Sequence, residues 1–265
     1  MVDSGLAVET TCEEKVLMSE LKSNTEWKQW GKDDPLYGVA TWANKQKDGA
    51  SPWTEEEFYS LGQSDWLDFL VHWQHYGVNR HSCLEIGCGA GRITRQLANS
   101  FDHVYAVDVS EDMISYARKA VGTNVEFSVI DGLRLPQPDC SVKAIFSTHV
   151  LQHLDSEEIG LSYFREFFRV LDFGGTLMVH LPLYSFPPDG RVSGPMRMLY
   201  ALVRQLGQIR ADMNRRRGLK HMRGTSYLIR SLSVFLAELG FKNIEFRIFP
   251  IKSDGNPHSF VFATK

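Results

Sequence analysis

LEIGCGAG, residues 84–91, is the stretch that decides the fold. Gly87, Gly89 and Gly91 stand at alternate positions, directly after an apolar run and before a stretch of helical spacing that begins near Arg92. Glycine permits positive φ and lets backbone approach a ligand closely, and the free N–H groups at a helix start favour polar or anionic groups. The pattern predicts a strand, a ligand-binding turn and a helix. An ordinary tight turn is the alternative.

Around this turn, short apolar runs alternate with amphipathic stretches. We predict strands at residues 83–86, 104–107, 125–130, 144–147, 176–180, 244–249 and 259–263, and helices at 54–76, 93–100, 111–121, 156–171 and 227–239. Ser110 and Asp155 occupy predicted helix N-caps, and Gly174-Gly175 and Gly240 occupy predicted helix ends. Strands that alternate with helices predict a doubly wound, mostly parallel seven-stranded α/β sheet with right-handed crossovers.

Three zones divide the 265 residues. Residues 1–80 are rich in tryptophan and are predicted to form an N-terminal helical cap. Residues 81–265 are predicted to form the sheet domain. Within it, residues 182–226 interrupt the alternation with a loop rich in proline and glycine and then a basic amphipathic helix, which predicts a helical lid inserted after the fifth strand.

Two aspartates follow the next predicted strands. Asp108 ends the second strand, seventeen residues after Gly91, where a carboxylate can accept hydrogen bonds from both hydroxyls of a ribose. Asp131 ends the third strand and can accept from an adenine amino group. Each has a structural alternative, because Asp108 can cap the next helix and Asp131 can form a turn with Gly132. Together with the glycine turn, these acids predict an adenosyl ligand.

The chain resembles class I S-adenosylmethionine-dependent methyltransferases of the small-molecule type, from about Ser82 to Ser185 and again from Tyr227. The resemblance is carried by EIGCGAG at 85–91, VDVSEDM at 107–113, DG at 131–132, FSTHVLQHL at 146–154, and RE, RVL and GG between 165 and 175. It implies the fold described above and methyl transfer as the activity.

The resemblance also implies the cofactor, S-adenosylmethionine, which leaves as S-adenosylhomocysteine after transfer. It assigns Glu85, Gly87 and Gly89 to the methionine end, Asp108 to the ribose and Asp131 to the adenine. The other cofactor contacts that we expect are Cys88, Gly91, Val109, Met113, Gly132 and Thr148.

The acceptor is expected beyond the carboxyl ends of the fourth and fifth strands, where open parallel sheets bind ligands. The residues that fall there are Thr148, His149, His153, His180, Pro182 and Tyr184. Transfer to a hydroxyl needs a base with a pKa near neutrality, so His149 is the first candidate for a catalytic base and His180 the second. Either histidine can instead form a local hydrogen bond. His153 and Tyr184 are expected acceptor contacts.

The N-terminal zone and the basic segment supply the other acceptor contacts that we expect. Trp30 and Tyr37, with Trp42 and Trp53, are predicted to cover the crevice, and core packing explains these rings equally well. Residues 191–223 carry nine Lys or Arg residues against one acid, Asp212. Guanidinium groups suit phosphate or carboxylate, so this segment predicts recognition of a small acidic acceptor, with Arg197 among its contacts.

The basic segment has three other interpretations: a membrane-surface helix over residues 195–223, a nucleic-acid patch and a solvated helix face. A formal net charge of −3 argues against a surface built throughout for nucleic acid. The sequence carries no signal for an oligomeric state.

Neither a metal nor a secreted fold is expected. The four cysteines lack paired metal-ligand spacing and do not indicate a disulfide framework. His72 and His75 lie three apart on a predicted helix, but no further ligand has matching spacing, so we predict no metal site. Residues 1–14 lack an apolar run after a basic start, which indicates neither a signal peptide nor a spanning helix. We therefore expect a cytoplasmic protein with reduced thiols.

Two other functions fit part of the pattern. An NAD(P)-dependent oxidoreductase uses a related fold, but its usual first loop spaces the glycines as G-x-G-x-x-G, unlike the alternate spacing here. A non-catalytic regulatory module would bind S-adenosylmethionine through the same residues without turnover. Methyl transfer to oxygen or nitrogen of a small acceptor is the leading prediction.

Overall fold

The computed structural model describes residues 21–185 and 224–265, and five residues between them, Pro195, Met198, Leu199, Leu202 and Leu206. Most of the predicted lid at 182–226, including Arg197, therefore lies outside the described residues. The same holds for most of the 195–223 segment and for residues 1–20 of the predicted cap.

Seven strands form one sheet. They are β1 (Ser82–Ile86), β2 (His103–Asp108), β3 (Val125–Val129), β4 (Val142–Ser147), β5 (Leu171–His180), β8 (Lys242–Pro250) and β9 (Pro257–Thr264). Their order is β3-β2-β1-β4-β5-β9-β8. The first five strands pair in parallel, and β9 runs antiparallel to β5 and β8. The predicted doubly wound, mostly parallel sheet is confirmed.

A separate parallel pair, β6 (Leu183–Tyr184) with β7 (Tyr227–Leu228), closes the point where the chain leaves the sheet domain and returns to it. The helix predicted from Tyr227 therefore begins two residues later, because Tyr227 and Leu228 are used in this pairing.

The described helices are α1 (Lys22–Asp33), α2 (Pro35–Val39), α3 (Glu55–Tyr76), α4 (Thr94–Ser100), α5 (Glu111–Ala120), α6 (Glu157–Val170) and α7 (Ile229–Leu239), with a 3₁₀ turn at Leu151–His153. Helix α3 begins at a capping box in which Thr54 and Glu57 each accept from the other's backbone N–H, and it ends at Gly77 in the left-handed conformation. None of the described helices combines the length and apolar character needed to cross a bilayer.

The core lies on both faces of the sheet, because successive side chains of a strand point to opposite sides. Leu84 and Ile86 of β1 pack with α6 and α7, in a cluster that includes Phe164 and Phe167. Cys83 packs on the other face with a cluster that includes Trp73 of α3. The sheet is therefore covered on both sides, and its strand ends remain available for a site.

Two sequence predictions on helix boundaries are wrong. Asp155 does not cap α6, because Ser156 accepts from the N–H of Ile159 and Asp155 accepts instead from the N–H groups of Lys22 and Ser23 at the start of α1. Gly174 and Gly175 lie inside β5, since α6 already ends at Val170 and the strand starts at once. By contrast, the helix predicted to begin near Arg92 is present and begins at Thr94.

Candidate functional site

A cavity of about 440 Å³ opens at the carboxyl ends of β1, β2 and β4. Its volume falls within the range of roughly 300–1,000 Å³ that is typical of small-molecule sites. One side, which we call the glycine-turn wall, is formed by Ile86, Gly87, Gly89, Asp108 and Val109. The other side, the composite wall, combines residues of α1, the loop after β4 and the β8–β9 hairpin: Ser23, Asn24, Trp27, Thr148, His149, Gln152, His153, Ser253, Asp254 and Asn256.

The glycine turn requires glycine for two reasons. Gly87, Gly89 and Gly91 have φ of 73°, 51° and 84°, in the left-handed region that glycine adopts without strain. A Cβ on Gly87 would collide with the side chain of Val150, and one on Gly89 would lie 2.6 Å from Cγ2 of Val39. The turn is therefore packed under neighbouring segments, and only bare backbone fits there.

Asp108 stands at the end of β2 on the glycine-turn wall. Its Oδ2 accepts from the N–H of Gly89 at 2.8 Å, and its Oδ1 accepts from the N–H of Ser110 at 2.9 Å. Burial raises the pKa of the Asp108 carboxyl above its ordinary value. Ser110, and not Asp108, caps α5 by accepting from the N–H of Met113. The carboxylate is thus held rigidly at the cavity edge, with lone pairs left for a ligand.

Glu85 lies in β1 directly before the turn and is almost completely buried. Its Oε2 finds no hydrogen-bond partner among the described residues. Burial raises the pKa of Glu85 to about 7. A buried acceptor without a partner is costly, so a donor supplied by a ligand at this position would stabilise the site. Glu85 does not itself line the cavity.

Asp131, the predicted adenine contact, does not line the cavity. It is exposed, and its Oδ1 accepts from the N–H groups of Leu133 and Arg134 in a local turn. Ile130, the preceding residue, lines the cavity instead. Gly132 is buried next to Asn24 of α1. The adenine role of Asp131 stays a prediction.

The other expected cofactor contacts divide into two groups. Val109 and Thr148 line the cavity, and the Oγ1 of Thr148 is buried without a partner in the described part of the chain. Cys88, Gly91 and Met113 do not line it. They lie beneath the surface, where Gly91 approaches Cβ of Ala117 and Met113 packs in a cluster with Phe58.

His149, the first candidate base, lines the cavity from the loop after β4, where its φ is 57°. Burial lowers the pKa of its imidazole well below the ordinary value, so the ring is neutral at pH 7. His180 lies behind it at the end of β5. Its Nδ1 is 3.4 Å from the backbone nitrogen of His149, and burial lowers its pKa to about 3. His180 does not line the cavity.

The five remaining predicted acceptor contacts do not lie together. His153 lines the cavity and lies beside Trp27, with ring centroids 5.4 Å apart. Trp30 and Tyr37 line a different depression, together with Asp33 and Asp34. Half-buried Tyr184 pairs with Leu228 and lies on neither surface, and Arg197 is outside the described residues.

Several cavity residues have no motif in the sequence to mark them. Asp65 of α3 and Arg92 form a buried ion pair at the cavity surface. Trp27 lines the cavity, and so does Tyr163, which lies on α6. Helical spacing could assign Trp27 and Tyr163 to a buried face, but no local pattern shows that this face meets a cavity.

The charges on the described wall are mainly negative. Asp65, Asp108 and Asp254 line the cavity, against one guanidinium, that of Arg92, which is already paired with Asp65. Such a wall favours a cationic ligand group over an anionic one.

Residues 83–175 match the family model of a methyltransferase domain. The match covers about a third of the chain, and it agrees with solved structures of the same fold that are S-adenosylmethionine-dependent methyltransferases. The matched region contains the whole glycine-turn wall, including Asp108, and it also contains His149 of the composite wall. Members of this family use S-adenosylmethionine as methyl donor.

Two curated relatives illustrate the range of the family. Phosphoethanolamine N-methyltransferase 1 of Arabidopsis thaliana is 36% identical to this chain over 100 residues, which cover 36% of this chain and 20% of that protein. O-methyltransferase cnsE of Penicillium expansum is 25% identical over 189 residues, which cover 69% of this chain and 59% of that protein. The chain spans only about a fifth of the length of the phosphoethanolamine enzyme that it matches.

A solved structure shares the fold over most of this chain. Magnesium protoporphyrin IX methyltransferase from Synechocystis PCC 6803, with bound SAH, superposes with a TM-score of 0.58 at 17% identity, and the match covers 92% of this chain and 100% of that chain. At this identity, the likeness concerns the fold alone.

Proposed function

We propose that this protein transfers the methyl group of S-adenosylmethionine to an oxygen or nitrogen atom of a small acceptor. The observation that carries the proposal is the cavity, where the glycine turn and the Asp108 carboxylate face a set of polar side chains from three other segments. A donor bound along the glycine-turn wall would bring its sulfonium towards the side chains of the composite wall.

The cofactor half of the proposal rests on the donors and acceptors present. The backbone of Gly87 and Gly89 would approach the methionine part of the cofactor, and Asp108 would accept from the ribose hydroxyls. The buried Oε2 of Glu85, which has no hydrogen-bond partner among the described residues, supports a cationic group nearby, since the cofactor's ammonium would supply the missing donor. Bound there, S-adenosylmethionine would supply an activated methyl group. The protein's own contribution is to hold the donor and acceptor in line and exclude water.

On the acceptor side, His149 and Thr148 are the groups proposed to contact the atom that receives the methyl group. A pKa lowered well below the ordinary value makes His149 a weak base at neutral pH, because general-base efficiency is greatest when the pKa lies near the working pH. This favours acceptors that need little help in losing a proton, and gives His149 a role in orienting them. Recognition of an acidic acceptor would depend on residues 191–223.

Calorimetry and a transfer assay would test the proposal. The full chain should bind S-adenosylhomocysteine with one-to-one stoichiometry and should not bind NADH or NADPH. It should then pass a radiolabelled methyl group from S-adenosylmethionine to at least one member of a panel of small amines, phenols and carboxylic acids. Binding without turnover across the panel would favour the non-catalytic module. Binding of NADPH in place of S-adenosylhomocysteine would overturn the proposal.

A further inference from the structure

Three histidines converge beside the cavity from three different strand ends. His149 follows β4, His180 ends β5, and His258 lies near the start of β9. Each offers one ring nitrogen, and these three nitrogens lie within 4.8 Å of one another. The antiparallel pairing of β5 with β9 brings His258 next to His180 although 78 residues separate them in the chain. We propose that His149, His180 and His258 bind a divalent transition-metal ion of the zinc class.

The spacing of the rings fits such an ion. Nδ1 of His258 is 3.3 Å from Nε2 of His180. Two imidazole nitrogens that bind one tetrahedral ion through bonds of about 2.0–2.1 Å are separated by roughly 3.3 Å. The ring centroid of His149 lies 4.5 Å from that of His180 and 5.3 Å from that of His258, so the His149 ring is close to both of the others. Small side-chain rotations would complete a three-histidine site.

A carboxylate orients one of the proposed ligands. Oδ2 of Asp254 is 2.9 Å from Nε2 of His258, so Asp254 accepts the proton on that nitrogen and leaves the lone pair of Nδ1 directed away from the carboxylate. Metal-bound histidines usually donate their second N–H to such a partner, which fixes the ring and strengthens it as a ligand. The β8–β9 hairpin therefore supplies both a ligand and the group that orients it.

A metal-free arrangement competes with this site. The backbone N–H of His149 points to Nδ1 of His180 over 3.4 Å, and an Nε2–H of His180 would then donate to His258. The first of these contacts is longer than the range of about 2.7–3.2 Å that is usual for N–H donors to oxygen. Binding of a metal at Nε2 of His180 would exchange this weak contact for a metal–nitrogen bond.

Imidazole ligands suit zinc, copper, iron and nickel, whereas magnesium and calcium prefer oxygen. Three protein ligands also leave a tetrahedral ion one open position. Because His149 and Asp254 line the cavity, a bound ion would lie at its wall. The proposal concerns metal binding alone and does not rest on the proposed methyl transfer.

The test uses the full, tag-free chain, freed of metal with a chelator and titrated with Zn²⁺ by calorimetry. One equivalent should bind. His258→Ala should weaken Zn²⁺ binding at least a hundredfold, and Asp254→Asn, which keeps all three ligands, should weaken it by about 10–100-fold. Co²⁺ as a probe should give the visible absorption of a tetrahedral ion in the unaltered protein and lose it in His258→Ala.

His81→Ala is the matched control, because His81 also pairs with a carboxylate, that of Asp102 at 3.3 Å, but on the exposed surface away from the three histidines. It should leave both the stoichiometry and the affinity unchanged. Absence of stoichiometric Zn²⁺ binding would overturn the proposal in favour of the metal-free chain, and so would equal affinity in His258→Ala and the unaltered protein. If His258→Ala does not fold by circular dichroism, unchanged affinity in Asp254→Asn would overturn it instead.

Discussion

The two walls of the cavity are assembled in different ways. The glycine-turn wall comes from two neighbouring strand ends, and Gly87, Gly89 and Asp108 lie within 22 residues of one another. The composite wall draws Trp27, His149 and Asp254 from segments that are more than one hundred residues apart. The first wall is a local motif completed by one parallel pairing of strands, whereas the second exists only after the whole chain has folded. In the proposed function, cofactor binding therefore depends on the local motif, and acceptor binding depends on the packing of distant segments.

The largest effect is expected for a long-range contact at the cavity surface, the buried pair of Asp65 on α3 and Arg92 beside the glycine turn. We expect Asp65→Ala to lower the free energy of unfolding by about 3–5 kcal/mol, because it leaves the Arg92 guanidinium buried without its partner. Urea denaturation would measure the loss. Lys252→Ala removes a more exposed pair with Asp68, and its effect should lie within about 0–1 kcal/mol. Equal effects would show that the buried pair stabilises the fold no more than the exposed one.

The next largest effect is expected for Glu85, as a dependence of stability on pH. Burial raises its pKa from 4.5 to about 7, so the folded protein holds a proton that the unfolded chain has lost. The stability that this carboxyl contributes is present below pH 4.5 and is lost as the pH rises through 7. Glu85→Gln does not ionise, and between pH 5 and pH 8 it should gain about 3 kcal/mol relative to the unaltered protein.

Urea denaturation of both proteins at several pH values would measure this difference. A difference that stays constant from pH 5 to pH 8 would contradict the raised pKa. Measured again with saturating S-adenosylhomocysteine, the difference should shrink if the cofactor's ammonium stabilises the Glu85 carboxylate.

Asp108 and Asp131 provide a comparison within the cofactor half. Loss of hydrogen bonds to a charged acceptor costs about 1.5–3 kcal/mol, so Asp108→Ala should weaken S-adenosylhomocysteine binding by roughly 10–100-fold. The exposed position of Asp131, outside the cavity wall, predicts a loss of less than about threefold for Asp131→Ala. Calorimetry would measure both. Equal losses would restore the adenine role of Asp131, and no loss in Asp108→Ala would remove its ribose role.

The smallest expected effect separates two tryptophans of the N-terminal zone. Trp27 lines the cavity, whereas Trp30 lines the other depression. Loss of an aromatic contact costs about 0.5–1.5 kcal/mol, so Trp27→Ala should raise the KM for the acceptor found in the panel by roughly 3–10-fold. Trp30→Ala should leave that KM unchanged. A rise in KM for Trp30→Ala alone would place the acceptor in the other depression.

The strands and helices could be predicted because their signals are local. The short run of β1, which is buried along its whole length, and the helical spacing of α3 are both visible in the sequence, and the glycine turn marks the end of β1. The misplaced boundaries occur where a residue acts on a distant partner. Asp155 is a residue type that commonly caps helices, yet it accepts from the start of α1 at Lys22, more than a hundred residues away in the chain. No local pattern carries that contact.

For the same reason, the residues on the acceptor side of the cavity could be predicted only in part. His149 and His153 were predicted on the cavity because they follow a parallel strand, whose carboxyl end is a general ligand position. Trp30 was predicted there and Trp27 was not, although both belong to α1, because the choice between them depends on the rotation of that helix against the sheet. His258 could not be associated with His149 and His180 before the pairing of β5 with β9 was known.

The sequence by itself determined the succession of strands and helices along the chain, the glycine turn and the position of Asp108 at a strand end. Each of these depends on residues that are close in the chain and on backbone conformations that few residue types allow. The tertiary structure decided which side chains share the composite wall and that three histidines meet. Those outcomes depend on how strands pair and helices rotate across the whole domain. That arrangement is the sum of many small packing energies, and no short stretch of residues contains it.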